Sequence, residues 1–348
     1  MTRQINVGGV LVGGGAPVTV QSMCDTDTRD VAATLSQIRG LHAAGCEIVR
    51  VAVPDTVAAD ALREIVGGSP VPVVADIHFD YKLAVRAVEN GVAKVRVNPG
   101  NIGSREKVRE IVKACAERKV PIRVGVNGGS VKRELIERHG LWEAMLLSGL
   151  EQTEILEDMG FTDICLSFKA SNVSDTVAVN RMAAERCGIP LHLGVTEAGT
   201  SYNGIIKSSA GIGALLLDGI GDTIRVSLAA PPAEEVRAAI ALLKAVGLRK
   251  GGVEVVACPT CARRGFDVAA IAREAEARLS DIQAPLKVAV MGCVVNGPGE
   301  ARDADIGVAG GGGQAVLFCK GEAVRKVAEA EILDVLVAEA RKLVGNGL

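Results

Sequence analysis

Along the first two thirds of the chain, short apolar runs alternate with longer stretches that carry an apolar residue every third or fourth position. The runs fall at 18–21, 47–53, 71–77, 94–97, 121–126, 163–168, 190–195 and 223–228, and each reads as a buried strand. Between them, stretches such as 30–44, 104–119 and 174–187 are amphipathic helices, opened by an Asp or Ser N-cap and stopped by a following Gly. Strands alternating with helices over about 230 residues predict a parallel (β/α)8 TIM-type barrel rather than a doubly wound sheet. Gly13-Gly14-Gly15 precedes the first strand instead of following it, so the chain lacks a dinucleotide fingerprint.

The pattern changes after a helix at 233–246. A Gly-rich, basic stretch at 247–252 reads as a linker, which divides the chain into a barrel over 1–246 and a second domain over 253–348. That domain has two strands ending in cysteine-bearing segments, a helix at 267–279 and a Gly turn at 310–313. With a last helix near 331–343, this predicts a small α+β fold.

Four of the barrel strands set an arginine between apolar neighbours: Arg50, Arg96, Arg123 and Arg225. Because side chains alternate along a strand, the flanking Val and Ile can face the helices only if each Arg points into the barrel. Unpaired guanidinium groups buried there are costly. Asp76 and Glu197, the evident internal acids, are too few to neutralise four arginines and Lys169. Asn98 and Ser227, two residues beyond Arg96 and Arg225, point the same way, as does Asn127, four beyond Arg123. Arginine forks match phosphate oxygens, so the pattern predicts a diphosphate site at the C-terminal mouth; the competing reading is an internal ion-pair network without a ligand. His78 is either a hand for the substrate or a satisfied strand-end histidine. Glu197, just past the seventh strand, stands where barrels carry catalytic acids and could equally pair with an arginine.

The other chemical signal is Cys258-Pro259-Thr260-Cys261 together with Met291-Gly292-Cys293-Val294-Val295-Asn296-Gly297-Pro298-Gly299-Glu300. Each follows an apolar run, so the thiols are expected at one end of one sheet. Gly297-Pro298-Gly299 is expected to reverse the chain and return Glu300 toward Cys293. Thiolates suit an iron-sulfur cluster, zinc or a redox dithiol, and spacing leaves all three open. Cys319 looks like a strand residue, and Cys46, Cys115, Cys165 and Cys187 like core residues.

A chain of 348 residues with 48% hydrophobic content has ample material for two domains. Its net charge of −2 and 2% aromatic content argue against a nucleic-acid partner. No apolar run approaches the roughly 20 residues of a membrane span, and the N-terminus lacks a signal-peptide pattern. Nine cysteines in such a chain read as reduced thiols in a cytoplasmic protein.

These motifs resemble the GcpE family of hydroxymethylbutenyl diphosphate synthases, bacterial two-domain type. The resemblance runs from Val20-Gln21-Ser22-Met23 through Val97-Asn98-Pro99-Gly100-Asn101 and Thr196-Glu197-Ala198-Gly199 to MGCVVNGPGE. It implies a 4Fe-4S cluster held by Cys258, Cys261, Cys293 and Glu300. It implies reductive ring opening and dehydration of methylerythritol cyclodiphosphate to hydroxymethylbutenyl diphosphate, in the methylerythritol phosphate route to isoprenoids. Arg50, Arg96, Arg123, Asn127, Lys169, Arg225 and Ser227 are then the anion-binding positions and Glu197 the proton donor. Flavodoxin or ferredoxin would supply two electrons, and the enzyme would be a homodimer in which the cluster domain of one subunit caps the barrel of the other. Cys24-Asp25 stands where the family often has Thr-Asn, and Ala262 where Gly is common. Two other readings remain: a non-redox barrel enzyme for a phosphorylated metabolite with a structural zinc module, and a cluster-bearing electron carrier or iron-responsive binding protein, which leaves the buried arginines without a role.

Overall fold

The computed structural model describes residues 1–345 except Thr260, Val294 and Asn296, and leaves out the side chains of Pro99, Gly297, Pro298 and Glu300. It contains two compact units, Met1–Arg249 and Lys250–Leu348.

The first unit opens with a hairpin of β1 (Ile5–Val7) and β2 (Val10–Val12), too short to stand out as a pattern in the sequence. Asn6 Oδ1 accepts from the Gly9 amide at 2.7 Å, and Gly8 and Gly9 take the positive φ that the turn requires. Ile5, Val7 and Val12 pack on Ile48, Val74 and Cys165 of the barrel strands, so the hairpin plugs the floor of the barrel. The barrel strands follow: β3 (Thr19–Met23), β4 (Ile48–Ala52), β5 (Val73–Asp76), β6 (Lys94–Arg96), β7 (Ile122–Asn127), β8 (Ile164–Lys169), β9 (His192–Leu193) and β10 (Thr223–Ile224). They form one parallel sheet in the order β8-β7-β6-β5-β4-β3-β10-β9. The gap between its edges is bridged where the Leu166 amide donates to the Pro190 carbonyl at 2.9 Å.

Asp30, Asp55 and Asp80 cap the helices Val31–Ala43, Thr56–Gly68 and Tyr81–Glu89 by accepting from backbone amides, which satisfies donors left open in the first turn. Two caps differ from expectation. Asn172, not Ser174, caps Val173–Arg186, because its Oδ1 reaches the Ser174 amide at 2.9 Å. Helix Arg105–Arg118 ends without a glycine, on Lys119 in left-handed backbone. The expected linker also shortens: the amides of Leu248 and Arg249 donate to the Leu243 carbonyl, and the Arg249 guanidinium bonds the Val18 carbonyl and Glu47, each at 2.9 Å. Residues 247–249 therefore belong to the barrel.

The second unit is one sheet in the order β11 (Val253–Ala257), β12 (Leu286–Met291), β13 (Ile306–Gly311), β14 (Gln314–Cys319), β15 (Glu322–Ala328). The first three strands run parallel and the last two antiparallel. Alternation splits the sheet's faces. Val288, Val290, Val308 and Leu317 pack with the helices Val268–Arg278 and Ile332–Gly345, while Ala289, Met291, Ala309 and Phe318 pack with Ala301 of the helix Gly297–Arg302. Gly297-Pro298-Gly299 thus opens a short helix instead of the expected reversal, since proline is accepted in a first helical turn.

Candidate active site

Strand alternation brings the inward arginines together. Arg50 on β4, Asp76 on β5, Arg96 on β6, Arg123 and Asn127 on β7, and Lys169 on β8 line one cavity of about 180 Å³ at the C-terminal ends of the strands. Arg225 and Ser227, just past β10, complete it, with His78, Gly125, Ser167 and Thr196. Lys169 gains its place from Gly194, where a Cβ would lie 2.7 Å from the lysine Nζ and 2.8 Å from the Arg225 carbonyl oxygen.

Asp76 holds the middle of the arginine ring. Its carboxylate lies 3.1 Å from Arg96 Nη1 and 3.5 Å from Arg50 Nε. Burial pushes its pKa up, but Arg50, Arg96, Arg123 and His78 outweigh this and hold it below the ordinary carboxylate range. Replacing it, as Asp76→Asn, leaves two buried guanidiniums uncompensated and is expected to cost about 3 kcal/mol of stability at neutral pH. Because the folded pKa lies below the unfolded one, this contribution is present above about pH 4 and is lost as pH falls through the folded value. Urea unfolding of wild type and variant should therefore converge in acid; a gap independent of pH would show that the Asp76 charge is not its source.

Glu235 is the acid that sequence reading missed. It sits on the helix Pro232–Ala245 with only 3% of its surface exposed. Its carboxylate accepts from Arg225 Nε at 3.2 Å and Nη2 at 3.3 Å, from the Leu228 amide at 2.9 Å and from Ser22 Oγ at 3.3 Å. A signal was available: Glu235 shares its helix face with Val236, Ala239 and Leu242.

Even with Glu235, five cations face two carboxylates. Arg123 is 2% exposed, no carboxylate lies within ion-pair distance of it among the described residues, and its Nε and Nη1 have no hydrogen-bond partner. Burial lowers its pKa to about 10, and burial with the neighbouring Arg123 lowers that of Arg50 to about 9. Burial and the surrounding arginines hold Lys169 well below the ordinary lysine value. Deeper in the barrel, Lys94 is fully buried against Gln21 Oε1 at 3.3 Å, and burial lowers its pKa to about 8. The wall is short of negative charge, as an anion site requires.

Three candidates sit differently from the rest. His78 is exposed at the rim, with Nδ1 3.2 Å from Arg96 Nη1. Asn98 does not line the cavity; it lies at the turn into Pro99–Ile102, with a buried Oδ1 that has no partner among the described residues. Glu197, expected as an internal acid, is instead exposed. It takes left-handed backbone with φ 53°, between cavity-lining Thr196 and buried Ala198, and makes no ion pair with the arginines. A larger cavity of about 750 Å³, lined by Met1, Cys187, Asp222 and Leu248 among others, has no comparable set of converging cations. There Asp222 is already occupied by Thr2 and the Leu191 amide.

In the second unit, Cys258 follows β11, and its Sγ accepts from the Gly292 amide at 3.2 Å, immediately before Cys293. The Gly265 amide donates to the Gly292 carbonyl at 2.8 Å, which ties the loop after exposed Cys261 to the same strand end. No disulfide joins Cys258 to Cys261. Among the described residues, no three His, Cys, Asp or Glu are gathered as a metal site. The side chain of Glu300 and all of Thr260 lie outside the described residues. Soft sulfur donors at parallel strand ends, one already receiving an amide hydrogen bond, fit a thiolate-held iron-sulfur cluster.

A (β/α)8 barrel with a cation-rich mouth, followed by a thiol-bearing α+β unit, defines a class of barrel enzymes for phosphorylated substrates. The GcpE TIM-barrel domain matches residues 2–240 and the GcpE protein C-terminal domain matches residues 254–342. The chain is 57% identical to the 4-hydroxy-3-methylbut-2-en-1-yl diphosphate synthase (flavodoxin) of Geobacter sulfurreducens, covering 99% of this chain and 98% of the relative. It is 53% identical to the protein of the same name from Clostridium perfringens, over 97% of each chain. The crystal structure of Yersinia pestis dihydropteroate synthase shares the barrel fold, with TM-score 0.52 and 12% identity over 71% of this chain and 98% of that one. The chain belongs to the GcpE family.

Proposed function

We infer that this chain converts 2-C-methyl-D-erythritol 2,4-cyclodiphosphate to (E)-4-hydroxy-3-methylbut-2-enyl diphosphate by reductive ring opening and dehydration, a flavodoxin-dependent oxidoreductase step of the methylerythritol phosphate pathway. The observation that carries the reading to the site is the cationic surplus at the barrel mouth in a member of this family. Arg50, Arg96, Arg123, Lys169 and Arg225 would bind the diphosphate, while Asn127 and Ser227 orient it by hydrogen bonds. Opening the ring frees an ester oxygen, so negative charge grows on the diphosphate during the reaction. A wall already short of negative charge favours that change more than it favours the intact ring. Asp76 and Glu235 keep the arginine forks aimed. His78 and Asn98 would act at the rim, and Glu197, on its strained backbone at the open side, would deliver the proton to the departing hydroxyl.

Cys258, Cys261, Cys293 and Glu300 would hold a 4Fe-4S cluster, and bound there it would supply the redox chemistry of the two-electron reduction. Flavodoxin would supply those electrons in the cytoplasm, and the enzyme would work as a homodimer. Among the described residues, no helix is long and apolar enough to cross a membrane.

Anaerobic purification with iron and sulfide analysis tests the reading. About four of each per chain are expected, with absorption and reduced-state EPR spectra perturbed by the cyclic diphosphate. Zinc without acid-labile sulfide would sink the redox chemistry and favour a non-redox barrel enzyme with a structural zinc module.

A further inference from the structure

Met23 ends β3 directly opposite Arg50 in the β3–β4 register and is half-buried. Its Sδ lies 2.9 Å from Arg50 Nη2, 3.2 Å from Arg50 Nε and 3.8 Å from Arg225 Nη1. Two guanidiniums from strands on either side of β3 thus converge on one thioether. The same two arginines meet carboxylates on their other sides, Asp76 for Arg50 and Glu235 for Arg225.

The chemistry of the acceptor matters. A carboxylate at this place would orient both forks but cancel their charge. An aliphatic side chain would leave the charge but provide no acceptor. A thioether is uncharged, weakly accepting and polarizable, so it orients N–H groups while removing almost none of their positive potential. We propose that Met23 is a positioning residue of the diphosphate site: its sulfur orients the Arg50 and Arg225 guanidiniums on the sides that Asp76 and Glu235 do not hold, without adding a further negative charge to the wall.

The inference rests on the reading of this cavity as a diphosphate site and is tested with it. The probe is inorganic pyrophosphate, titrated calorimetrically into wild type and the variants Met23→Leu, Met23→Gln and Met23→Glu, with melting temperatures recorded for each. Met23→Leu keeps the bulk but removes the acceptor. It should bind pyrophosphate about fivefold more weakly at unchanged melting temperature, and raise KM for the cyclic diphosphate with little change in kcat. Met23→Gln restores an uncharged acceptor and should remain within about twofold of wild type, a rescue that a purely packing role does not give. Met23→Glu has nearly the shape of Met23→Gln but adds the cancelling charge, and should bind at least about fiftyfold more weakly than Gln. If Leu destabilises the barrel, the Gln variant decides: wild-type affinity in Gln supports the proposal, and a Gln variant that melts like wild type but binds pyrophosphate at least about fivefold more weakly overturns it. Leu binding as well as wild type, or Glu binding as well as Gln, overturns the proposal. A wild-type chain that binds neither pyrophosphate nor the cyclic diphosphate overturns the diphosphate reading itself, and this inference with it.

Discussion

Arg123→Met should make this protein more stable and, in the same molecule, remove most of its affinity for the cyclic diphosphate. The opposite signs have one cause. Arg123 is 2% exposed, with two guanidinium nitrogens lacking partners among the described residues, and Asp76, the acid whose charge acts most on it, is already engaged by Arg50 and Arg96. In the unliganded protein its charge is therefore paid for by the rest of the fold. Methionine fills similar space without that penalty, so unfolding free energy is expected to rise by about 2 kcal/mol. In the liganded protein the same guanidinium meets an anion in a nearly dry wall, and truncating such a contact costs at least about a hundredfold in affinity. Calorimetric unfolding and substrate titration on one preparation measure both. A lower melting temperature with unchanged substrate affinity would make Arg123 a structural cation and leave the anion site without its deepest contact.

Cys258→Ala should abolish turnover and strip the protein of iron while leaving the barrel able to bind the cyclic diphosphate. The thiol lies at the end of β11, and its sulfur receives the Gly292 amide of the neighbouring strand. Loss of that sulfur removes one of three thiolates proposed for the cluster and leaves the amide without its acceptor. Iron and acid-labile sulfide are expected to fall below about a tenth of wild type. Substrate affinity should persist because the cavity is built wholly from residues 50 to 227. A Cys258→Ala protein with its full iron content would remove this cysteine from the ligand set. One that lost substrate affinity as well would show that the thiol has a role beyond the cluster.

Both expectations start from features legible in the chain. Side-chain alternation is a local property of extended backbone, so an arginine between outward-facing Val and Ile residues has only the barrel interior to enter. That alone assigned Arg50, Arg96, Arg123 and Arg225 to one cavity, and the positions two or four residues onward placed Asn127 and Ser227 beside them. Cys258 at the end of an apolar strand was equally local. Helix caps were legible where an Asp precedes the helix, and less so at Asn172, where Ser174 two positions on is an equally good capping residue by type but instead donates its amide and hydroxyl to Asn172.

What stayed hidden depended on chain segments far apart in sequence. Glu235 reaches Arg225 and Ser22, the second across 213 positions, and Met23 meets Arg225 across 202. The floor hairpin has strands of only three residues, too short for a period to show, and is held by barrel residues it meets only after folding. Glu197 illustrates the converse. Its place after a strand suggested an inward acid, but Thr196 is the residue that lines the cavity, and Glu197, next to it in left-handed backbone with φ 53°, is exposed. The sequence by itself determined the barrel, the second sheet and the direction of the arginines, because periodicity and burial act residue by residue. Only the tertiary structure decided how charge is shared at the mouth, with Asp76 and Glu235 holding some guanidiniums and Arg123 left unpaired. That balance depends on distances between side chains carried by different strands and a helix, which the sheet brings within a few ångströms and which no local period reports.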